Sequence, residues 1–257
     1  MIGERIRFSI SEGVARIVLA NPVNRNAVDT IFVQELAAVA GRCEAETGLR
    51  AIVLSAEGDY FSVGGDLRSF LAHRDAIGEH IRATATTFHT GILALRRAAA
   101  PVIAAVGGTA AGAGFSLVCG ADLVVASEAA RFVSAYTGSG LTPDGGGTFF
   151  LPHIVGRRVA FDLMATNRML SAAEALSLGI VSRVVPPDAL DAAVETLVSE
   201  LLAQPEGALT GLKALFRRGE DEALAVQLRA EADSIARLAA SPATLARMEA
   251  FLARKPR

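Results

Sequence analysis

The 257-residue sequence has only two cysteines, and its four histidines fall in no metal-ligand spacing. Cys43 and Cys119 lie far apart without a CxxC motif, which fits a reducing compartment better than a disulfide framework. Because no cysteine accompanies the histidines, the sequence predicts no metal site. We therefore expect a cytoplasmic protein that binds no metal.

An excess of charge of one sign is also lacking. The net charge is −2 at pH 7, both signs are interspersed, and Lys and Arg form no long run. This pattern gives no indication of a nucleic-acid or membrane-surface partner. The first ten residues carry scattered charges where a signal peptide would have an unbroken apolar run, so we expect a mature soluble start.

A long hydrophobic run occurs once, from Ala98 to Ala121, where no residue is charged. Its length would span a bilayer. The stretch contains Pro101 and several glycines, however, and PVIAAV is typical of a buried strand that enters a glycine loop. The strand is the favoured interpretation, and a transmembrane helix is the alternative.

Apolar patterns up to about residue 187 predict strands that alternate with helices. RIRFSI and VARIVLA indicate a hairpin, and the runs AIVLSA, VIAAV, LVVAS and VSRVV indicate further strands. TIFVQELAAVAGRCEAE and ATATTFHTGILALRR have the apolar spacing of helices. Ser171 and Glu174 form the capping box of a short helix that stops at Gly179. These patterns predict an α/β core with largely parallel pairing.

Residues 188–251 contain no β-rich run and predict three or four amphipathic helices, with breaks near QPEG and ASPA. We therefore divide the chain into a core, residues 1–187, and a C-terminal helical region, residues 188–257. The apolar faces of these helices have to be buried, either on the core or on a partner subunit.

Familiar nucleophile and phosphate motifs are missing. None of Ser62, Ser116 and Ser139 has glycines at both minus two and plus two, so the nucleophile elbow of the α/β-hydrolases is absent. GGTAAGAGFSLVCG fits neither GxxxxGK[ST] nor an unbroken GxGxxG. A nucleotide-dependent oxidoreductase is therefore kept only as a third hypothesis.

Two glycine-bearing turns, YFSVGGDL at 60–67 and GTAAGAGFSL at 108–117, each follow a β-run and precede a predicted helix. Glycine lets a backbone N–H approach a ligand closely, and the start of a helix adds a positive dipole end. Two such N–H groups that converge on one oxygen would form an oxyanion hole. The alternative is a pair of ordinary strand-to-helix turns, with Asp66 as an N-cap.

Three segments, AIVLSAEGDYFSVGGDL, PVIAAVGGTAAGAGFSLVCGADLVVASEAARFVSA and GLTPDGGGTFFLPHIVG, together resemble the crotonase, or enoyl-CoA hydratase/isomerase, superfamily. The likeness runs in order from about residue 10 to 187, and the tail FLARKP is similar to that family's C-terminus. The resemblance implies a crotonase-type spiral of ββα units with a C-terminal helical oligomerisation region, assembled as a homotrimer or a dimer of trimers. It implies an acyl-CoA thioester substrate, with coenzyme A as part of that substrate and no other cofactor.

The resemblance also implies roles for individual residues. At the matching positions, the N–H groups of Gly65 and Ala113 hold the thioester oxygen. Each such donor increases the reaction rate about 10²- to 10³-fold. Arg25 and Ala27 line the CoA site, although Arg25 could equally be a solvated loop charge, and Lys255 reaches a CoA phosphate. The further substrate-binding or CoA-binding positions are Val63, Gly64, Asp66, Leu67, Ala111, Tyr136 and Leu141.

The two glutamates of the family's hydratases are missing. Ser116 and Tyr136 stand at the matching positions. Hydration of a double bond needs both an acid and a base. A phenol with a pKa near 10 is a poor base at neutral pH, and a serine without a histidine partner is weaker still. We therefore do not expect ordinary hydratase activity.

Asp144 is the one carboxylate in GSGLTPDGGGTFFLP, residues 138–152. Superfamily members that move double bonds, including dienoyl-CoA and 1,2-epoxyphenylacetyl-CoA isomerases, carry an aspartate at this position. The resemblance thus implies that Asp144 removes a proton at one carbon and returns it at another. Apolar surroundings would raise its pKa and its basicity. The alternatives are a simple Pro143-Asp144-Gly145 turn, or a cap for a helix that begins near Gly147.

The leading hypothesis is an enoyl-CoA isomerase for a linear or ring-type acyl group, with Asp144 as the proton shuttle. One alternative is an enoyl-CoA hydratase with a non-standard site. Another is a catalytically silent acyl-CoA-binding member, which the loss of both hydratase glutamates motivates.

Overall fold

The structure is a computed structural model that describes residues 3–205 and 207–253. Strands and helices alternate as far as β10, and only helices follow it. The strands are β1 (Ile6–Ser11), β2 (Val14–Leu19), β3 (Ala51–Ala56), β4 (Tyr60–Ser62), β5 (Val102–Val106), β6 (Thr109–Ala111), β7 (Leu123–Ser127), β8 (Arg131–Val133), β9 (Leu170–Ser171) and β10 (Arg183–Val185). The helices are α1 (Thr30–Ala45), α2 (Leu67–Ala72), α3 (Ile77–Arg97), α4 (Ala113–Cys119), α5 (Gly147–Val155), α6 (Arg157–Thr166), α7 (Ala172–Ser177), α8 (Leu190–Leu202), α9 (Ala208–Arg217), α10 (Asp221–Ala239) and α11 (Pro242–Ala253).

Two sheets organise the core. The larger sheet has the order β1-β2-β3-β5-β7-β10, in which β1 and β2 form the predicted antiparallel hairpin and the other neighbours are parallel. The smaller sheet has the order β4-β6-β8-β9, and its first three strands are parallel. The units β3-β4-α2, β5-β6-α4 and β7-β8-α5 each place one strand in the larger sheet and the next in the smaller one. The predicted spiral of ββα units is therefore confirmed.

Helices cover both faces of the larger sheet, which explains why its strands are continuous apolar runs rather than alternating ones. Ile52 and Leu54 of β3 share a buried cluster with Phe32 and Leu36 of α1. Val53, between them, belongs to a second cluster on the opposite face. That second cluster also contains Ile103, Val125, Val194, Leu197 and Val198, and so it includes the apolar face of α8.

The uncharged stretch from Ala98 to Ala121 forms β5, β6 and α4. The favoured interpretation of a buried strand leading into a glycine loop is confirmed, and the transmembrane alternative for this stretch is wrong. Across residues 3–205 and 207–253, no helix combines the length and the apolar character needed to cross a membrane. Cys43 and Cys119 are both free and buried.

The described residues of the C-terminal region form four helices, α8 to α11, within the range of three or four that the patterns predicted. The apolar faces of α8, α10 and α11 pack on the rest of the chain. Leu224 and Leu228 of α10 enter the main core, and Ile235 of α10 and Met248 of α11 join a smaller cluster that contains Tyr136. Helices α8, α10 and α11 therefore share buried clusters with residues before 188. Their role in oligomerisation stays a prediction.

Candidate functional site

The short strands of the smaller sheet bring three loops to one edge. β4 lies beside β6, with Tyr60 opposite Thr109, and β6 lies beside β8, with Ala111 opposite Val133. Because these strands are parallel, the loops that follow their carboxyl ends emerge together. The turn at residues 63–66, the turn at Gly112 and the segment from residue 134 onward are neighbours for this reason.

Gly64 and Gly112 meet at the point where the first two turns touch. Both have positive φ, +85° and +53°, a region that residues with a side chain rarely adopt. A Cβ on Gly64 would lie 2.9 Å from the carbonyl oxygen of Ala111 and 3.2 Å from the nitrogen of Ala113. A Cβ on Gly112 would lie 3.4 Å from the Cα of Gly64. Glycine at these positions thus allows the two turns, and the backbones of residues 65 and 113, to come together.

The N–H groups of Gly65 and Ala113 have no acceptor among the described residues. Ala113 is the first residue of α4, where N–H groups have no intrahelical partner. A Cβ at position 65 would lie 2.8 Å from the Phe70 ring, so packing requires a small residue there. The two donors occupy the places expected for an oxyanion hole, and that role stays a prediction.

The predicted CoA-site loop lies against the first of these turns. Val63 donates its N–H to Arg25 O at 3.2 Å, and Val28 donates to Gly64 O at 2.8 Å. Arg25 is exposed, and its guanidinium lies 5.1 Å from the centre of the Tyr60 ring. Ala27, which precedes Val28 in the sequence, is buried. CoA binding by Arg25 and Ala27 stays a prediction.

Asn26 anchors this loop and is a residue that the sequence interpretation missed. It is buried with a φ of +53°, in the left-handed region that asparagine tolerates better than most residues. Its Nδ2 donates to the carbonyl oxygens of Glu57 at 3.0 Å and Tyr60 at 2.8 Å, and its Oδ1 accepts the N–H of Asn21 at 2.9 Å. The side chain therefore ties the loop to the turn between β3 and β4.

Asp66 caps α2, as the alternative interpretation predicted. Its Oδ1 accepts the N–H groups of Arg68 at 3.0 Å and Ser69 at 3.2 Å. Its Oδ2 accepts a bond of 3.1 Å from Nδ2 of Asn24. The side chain thus stabilises the turn that carries Gly65, and a direct role for Asp66 in ligand binding stays a prediction.

Asp144 is buried, with 7% of its surface exposed. The Tyr136 hydroxyl donates to its Oδ1 at 2.5 Å, and no described residue donates to its Oδ2. Gly146 is the N-cap residue of α5, and no side chain of the cap closes that helix end. The interpretation of the Asp144 side chain as a helix cap is therefore wrong. The segment does turn sharply, since Gly145 and Gly146 have φ of +66° and +77°.

Ser116 and Tyr136, which the resemblance predicted to stand at the positions of the hydratase glutamates, both contact Asp144. The Ser116 hydroxyl donates to the backbone oxygen of Asp144 at 2.7 Å and lies 3.5 Å from the Tyr136 hydroxyl. A Cβ on Gly112 would lie 3.9 Å from Cε2 of Tyr136. The Tyr136 ring therefore spans the distance between the glycine turn and the carboxylate, so that all of these groups belong to one site.

Burial sets the protonation states in this site. It raises the pKa of Asp144 to about 6, and the hydrogen bond from Tyr136 partly opposes this rise. Burial and the nearby charge of Asp144 raise the pKa of Tyr136 well above its usual value. At pH 7, Asp144 is therefore mostly an anion, and Tyr136 is a neutral donor to it.

Two buried residues behind Asp144 were not foreseen. Gly145 donates its N–H to Nε2 of His89 at 3.0 Å, and Gly146 donates to Oε2 of Glu231 at 2.8 Å. His89 lies on α3 and Glu231 lies on α10, in the C-terminal helical region. The available signal was a polar residue on the apolar face of each predicted helix, because Glu231 falls between Leu228 and Ile235 at helical spacing.

The remaining predicted site residues have the following places. Leu67 and Leu141 pack with Tyr136 in an apolar cluster that includes Phe70. Ala111 is buried at the end of β6. Lys255 lies outside the described residues. Among residues 3–205 and 207–253, no three His, Cys, Asp or Glu side chains are grouped so that they could hold a metal ion.

Comparison with known proteins identifies the family. The family model described as enoyl-CoA hydratase/isomerase matches residues 9–256. The chain belongs to the enoyl-CoA hydratase/isomerase family. The resemblance to the crotonase superfamily, predicted from the three motifs, is thereby confirmed.

Relatives within the family differ in their named reactions. The chain is 34% identical over 251 residues to a probable enoyl-CoA hydratase of Rhodobacter capsulatus, covering 98% of this chain and 96% of the relative. It is 33% identical over 215 residues to 4-chlorobenzoyl coenzyme A dehalogenase-2 of Arthrobacter sp, covering 83% and 78%. It is 32% identical over 231 residues to 1,2-epoxyphenylacetyl-CoA isomerase of Escherichia coli (strain K12), covering 90% and 88%.

A solved structure supports the fold. The enoyl-CoA hydratase from Bacillus halodurans superposes with a TM-score of 0.90, covering 96% of this chain and 100% of that one at 23% identity. At this identity the likeness concerns the fold alone, and the predicted crotonase-type fold is confirmed.

Proposed function

We propose that this protein isomerises an enoyl-CoA thioester, with Asp144 as the proton shuttle and the N–H groups of Gly65 and Ala113 as the oxyanion hole. One observation carries the proposal: Asp144 is a buried carboxylate with one oxygen held by Tyr136 and the other without a donor among the described residues. Contacts through Tyr136 and Gly112 link it to the unpaired N–H groups.

The chemistry moves one proton and no other atom. Oδ2 of Asp144 removes a proton from the α-carbon of a 3-enoyl-CoA, and the electron pair moves into the thioester carbonyl. The resulting dienolate carries its charge on the oxygen, where two fixed N–H donors stabilise it. Asp144 then returns the proton at the γ-carbon, and the double bond becomes conjugated with the thioester. No electrons are gained or lost overall, so the proposal needs no metal and no redox cofactor.

The protonation states support Asp144 as the base. A pKa of about 6 leaves the carboxylate ionised at neutral pH, yet makes it a stronger base than an exposed aspartate. The neutral hydroxyl of Tyr136 holds Oδ1, which leaves Oδ2 to move the proton. Ser116 donates to a backbone oxygen, and none of the described residues lies beside it as a base that would let it activate water. These groups favour isomerisation over hydration.

A second candidate function is nucleophilic displacement at an aryl-CoA. The same unengaged carboxylate oxygen could attack a ring carbon that bears a halogen, forming a C–O bond as the halide leaves. A relative named 4-chlorobenzoyl coenzyme A dehalogenase-2 makes this reaction worth testing. Hydrolysis of the resulting ester would require a free base, and Nε2 of His89 is already occupied by the N–H of Gly145. Isomerisation is therefore the favoured function.

The proposal includes assembly as a homotrimer or a dimer of trimers. Its support is the apolar surface of α9, where Leu212, Leu215 and Phe216 are exposed in the single chain. Sedimentation equilibrium of the purified protein should give a mass of three or six chains per particle. The mass of a monomer or a dimer would contradict the proposed assembly.

The experiment that tests the isomerase is ultraviolet monitoring of 3-enoyl-CoA, because conjugation with the thioester creates new absorbance. Asp144→Asn should lower the rate of isomerisation about 10²-fold or more, as expected when a general base is removed. The matched control is Asp188→Asn, the same change at an exposed position. Equal rates in the wild type and Asp144→Asn would exclude Asp144 as the base.

Two further arms separate the alternatives. Chloride release from 4-chlorobenzoyl-CoA, lost in Asp144→Asn, would support the displacement reaction instead. Tight binding of acyl-CoA with no turnover of linear, dienoyl or ring-type substrates would support a catalytically silent binder.

A further inference from the structure

The loop that carries Asp144 is held by groups from two other parts of the chain. We call residues 144–148, which include the N-cap and the first two residues of α5, the Asp144 loop. On one side, Tyr136 and Ser116 bind the carboxylate and the backbone oxygen of Asp144. On the other side, His89 of α3 and Glu231 of α10 accept backbone N–H groups of the same loop.

Glu231 makes more hydrogen bonds to the Asp144 loop than His89 does. Its Oε2 accepts the N–H of Gly146 at 2.8 Å, and its Oε1 accepts the N–H of Thr148 at 3.0 Å and the Thr148 hydroxyl. These N–H groups belong to the N-cap and first turn of α5, which has no acidic residue in that turn and a glycine as its N-cap. Glu231 thus supplies, from a distant helix, the capping oxygens that α5 lacks locally.

His89 completes the second side of the loop. Its Nε2 accepts the N–H of Gly145, so this nitrogen carries no proton. Burial lowers the pKa of His89 to about 4, which keeps the ring neutral at physiological pH. The approach of 4.0 Å between Nε2 of His89 and Oε2 of Glu231 is therefore not an ion pair.

The docking of α10 does not by itself explain a carboxylate at position 231. Leu224, Leu228 and Ile235 of α10 already enter buried apolar clusters. Burying a carboxylate is unfavourable unless its oxygens are hydrogen-bonded. Within the part of the chain that the structure describes, the donors to Glu231 all come from the Asp144 loop, at Gly146 and Thr148. The carboxylate is therefore placed to hold the loop.

We propose that Glu231 is a positioning residue for proton transfer: by binding the N–H groups of Gly146 and Thr148 it sets the carboxylate of Asp144 against the substrate carbons. Helix α10 of the C-terminal region is then part of the catalytic site. The inference rests on the proposed isomerase function. A displacement of about 1 Å in a catalytic group can cost about 10²-fold in rate, so a loosened loop has a measurable effect.

The charge of Glu231 gives a readout that a purely structural role would not move. The titratable groups that face it are His89 from α3, which stays neutral, and Asp144 and Tyr136 from the loop side. Burial raises the pKa of Glu231 to about 7, and the charge of Asp144 adds to the rise. Glu231 therefore ionises after Asp144 as the pH increases. Its ionisation strengthens its bonds to the loop N–H groups and makes Asp144 more basic.

The test compares Glu231→Gln and Glu231→Asp with Glu222→Gln, which makes the same chemical change at an exposed position on α10. For Glu231→Gln we expect kcat with 3-enoyl-CoA to fall about 10- to 10²-fold, with KM within about threefold of the wild type. The wild-type kcat should rise with pH in two steps, near 6 and near 7, and Glu231→Gln should keep only the first. Glu231→Asp keeps the charge and should retain the second step.

An activity-free arm uses carboxyl carbon NMR of protein labelled at aspartate, with the Asp144 signal assigned by its loss in Asp144→Asn. This signal should titrate in two steps in the wild type and Glu222→Gln, and in one step in Glu231→Gln. Circular dichroism confirms that each variant is folded, and Glu231→Asp serves where Glu231→Gln does not fold.

Two results would overturn the inference: an unchanged kcat in Glu231→Gln, or a lowered kcat that keeps both pH steps. Failure of the proposed function looks different, because Asp144→Asn would then match the wild type in rate. In that case the NMR titration alone tests whether Glu231 acts on Asp144. An Asp144 signal that titrates in two steps in Glu231→Gln would overturn the inference.

Discussion

The hydroxyl of Tyr136 donates to Oδ1 of Asp144 at 2.5 Å, and both side chains are more than nine-tenths buried. Two opposing effects meet in this contact. Burial disfavours the carboxylate anion, whereas a hydrogen bond from a neutral donor favours it. The pKa of about 6 for Asp144 is the balance of the two. Tyr136 therefore sets the basicity of Asp144 as well as its orientation.

Tyr136→Phe should move the acid limb of the pH-rate profile to higher pH. The variant loses the hydrogen bond that lowers the pKa of Asp144, while burial of the carboxylate remains. A hydrogen bond to a charged group contributes about 1.5–3 kcal/mol, so the limb should move by about one pH unit or more. The measurement is kcat against pH with 3-enoyl-CoA.

Tyr60→Phe is the matched control for this prediction. Tyr60 is the only other tyrosine in the sequence, and its ring, which the variant keeps, lies under Arg25. Its profile should match that of the wild type. A Tyr136→Phe profile with an unmoved or lowered acid limb would show that the Tyr136 hydroxyl does not stabilise the Asp144 anion.

The site residues that the family resemblance predicted lie in contiguous motifs. Gly65, Ala113 and Asp144 each stand in a glycine-bearing turn, and the structure brings these turns to one sheet edge. The strands that do this, β4, β6 and β8, have only three residues each. Three residues are too few to show an alternating pattern, so the second sheet was not predicted, and only the ββα units followed, from the family resemblance.

His89 and Glu231 could not be placed by the same reasoning. Glu231 is 87 positions beyond Asp144, in a helix whose polarity pattern resembles that of any amphipathic surface helix. Which groups accept the N–H of Gly146 depends on how α10 packs against α3 and α5, and local sequence does not determine that packing. The useful signal is a charged residue on an apolar stripe, since such a residue needs a buried partner.

Gly64→Ala should remove most activity. An alanine at this position would have to keep a φ of +85° and place its Cβ 2.9 Å from the oxygen of Ala111. The turn would shift, and the N–H of Gly65 would move away from that of Ala113. Loss of one oxyanion donor costs about 10²–10³ in rate, so we expect kcat to fall by that factor.

Gly219→Ala is the control for this backbone effect. Gly219 also has a φ of +85°, but no atom lies within 4 Å of its added Cβ. Both variants should lose about 1–2 kcal/mol of unfolding free energy from the left-handed conformation. Only Gly64→Ala should lose kcat. If the two variants have equal kcat, the contact between the two turns does not control catalysis.

Arg25→Gln tests the CoA site. If the exposed Arg25 guanidinium binds a CoA phosphate, KM for the acyl-CoA should rise about tenfold while kcat stays unchanged, as expected for loss of uniform binding. Added salt should raise the wild-type KM more than that of the variant, because salt screens the charge interaction. Arg218→Gln, at an exposed position at the end of α9, is the control. If the KM of Arg25→Gln equals that of the wild type, Arg25 is a solvated loop charge that does not bind CoA.

Asp144→Asn should alter how stability depends on pH. Because burial raises the pKa of Asp144 from 3.8 to about 6, the folded protein binds more protons than the unfolded chain between these values. The free energy of unfolding of the wild type therefore has a contribution that falls as pH rises through this window. Asparagine can still accept the Tyr136 hydrogen bond and has no charge to bury.

The unfolding free energy of Asp144→Asn relative to the wild type should thus increase from pH 4 to pH 7, by up to about 3 kcal/mol. Urea unfolding at a series of pH values measures this difference. The control, Asp188→Asn, is exposed and should follow the wild type at every pH. A constant difference between Asp144→Asn and the wild type would mean that burial neither disfavours the Asp144 anion nor raises the basicity of Asp144.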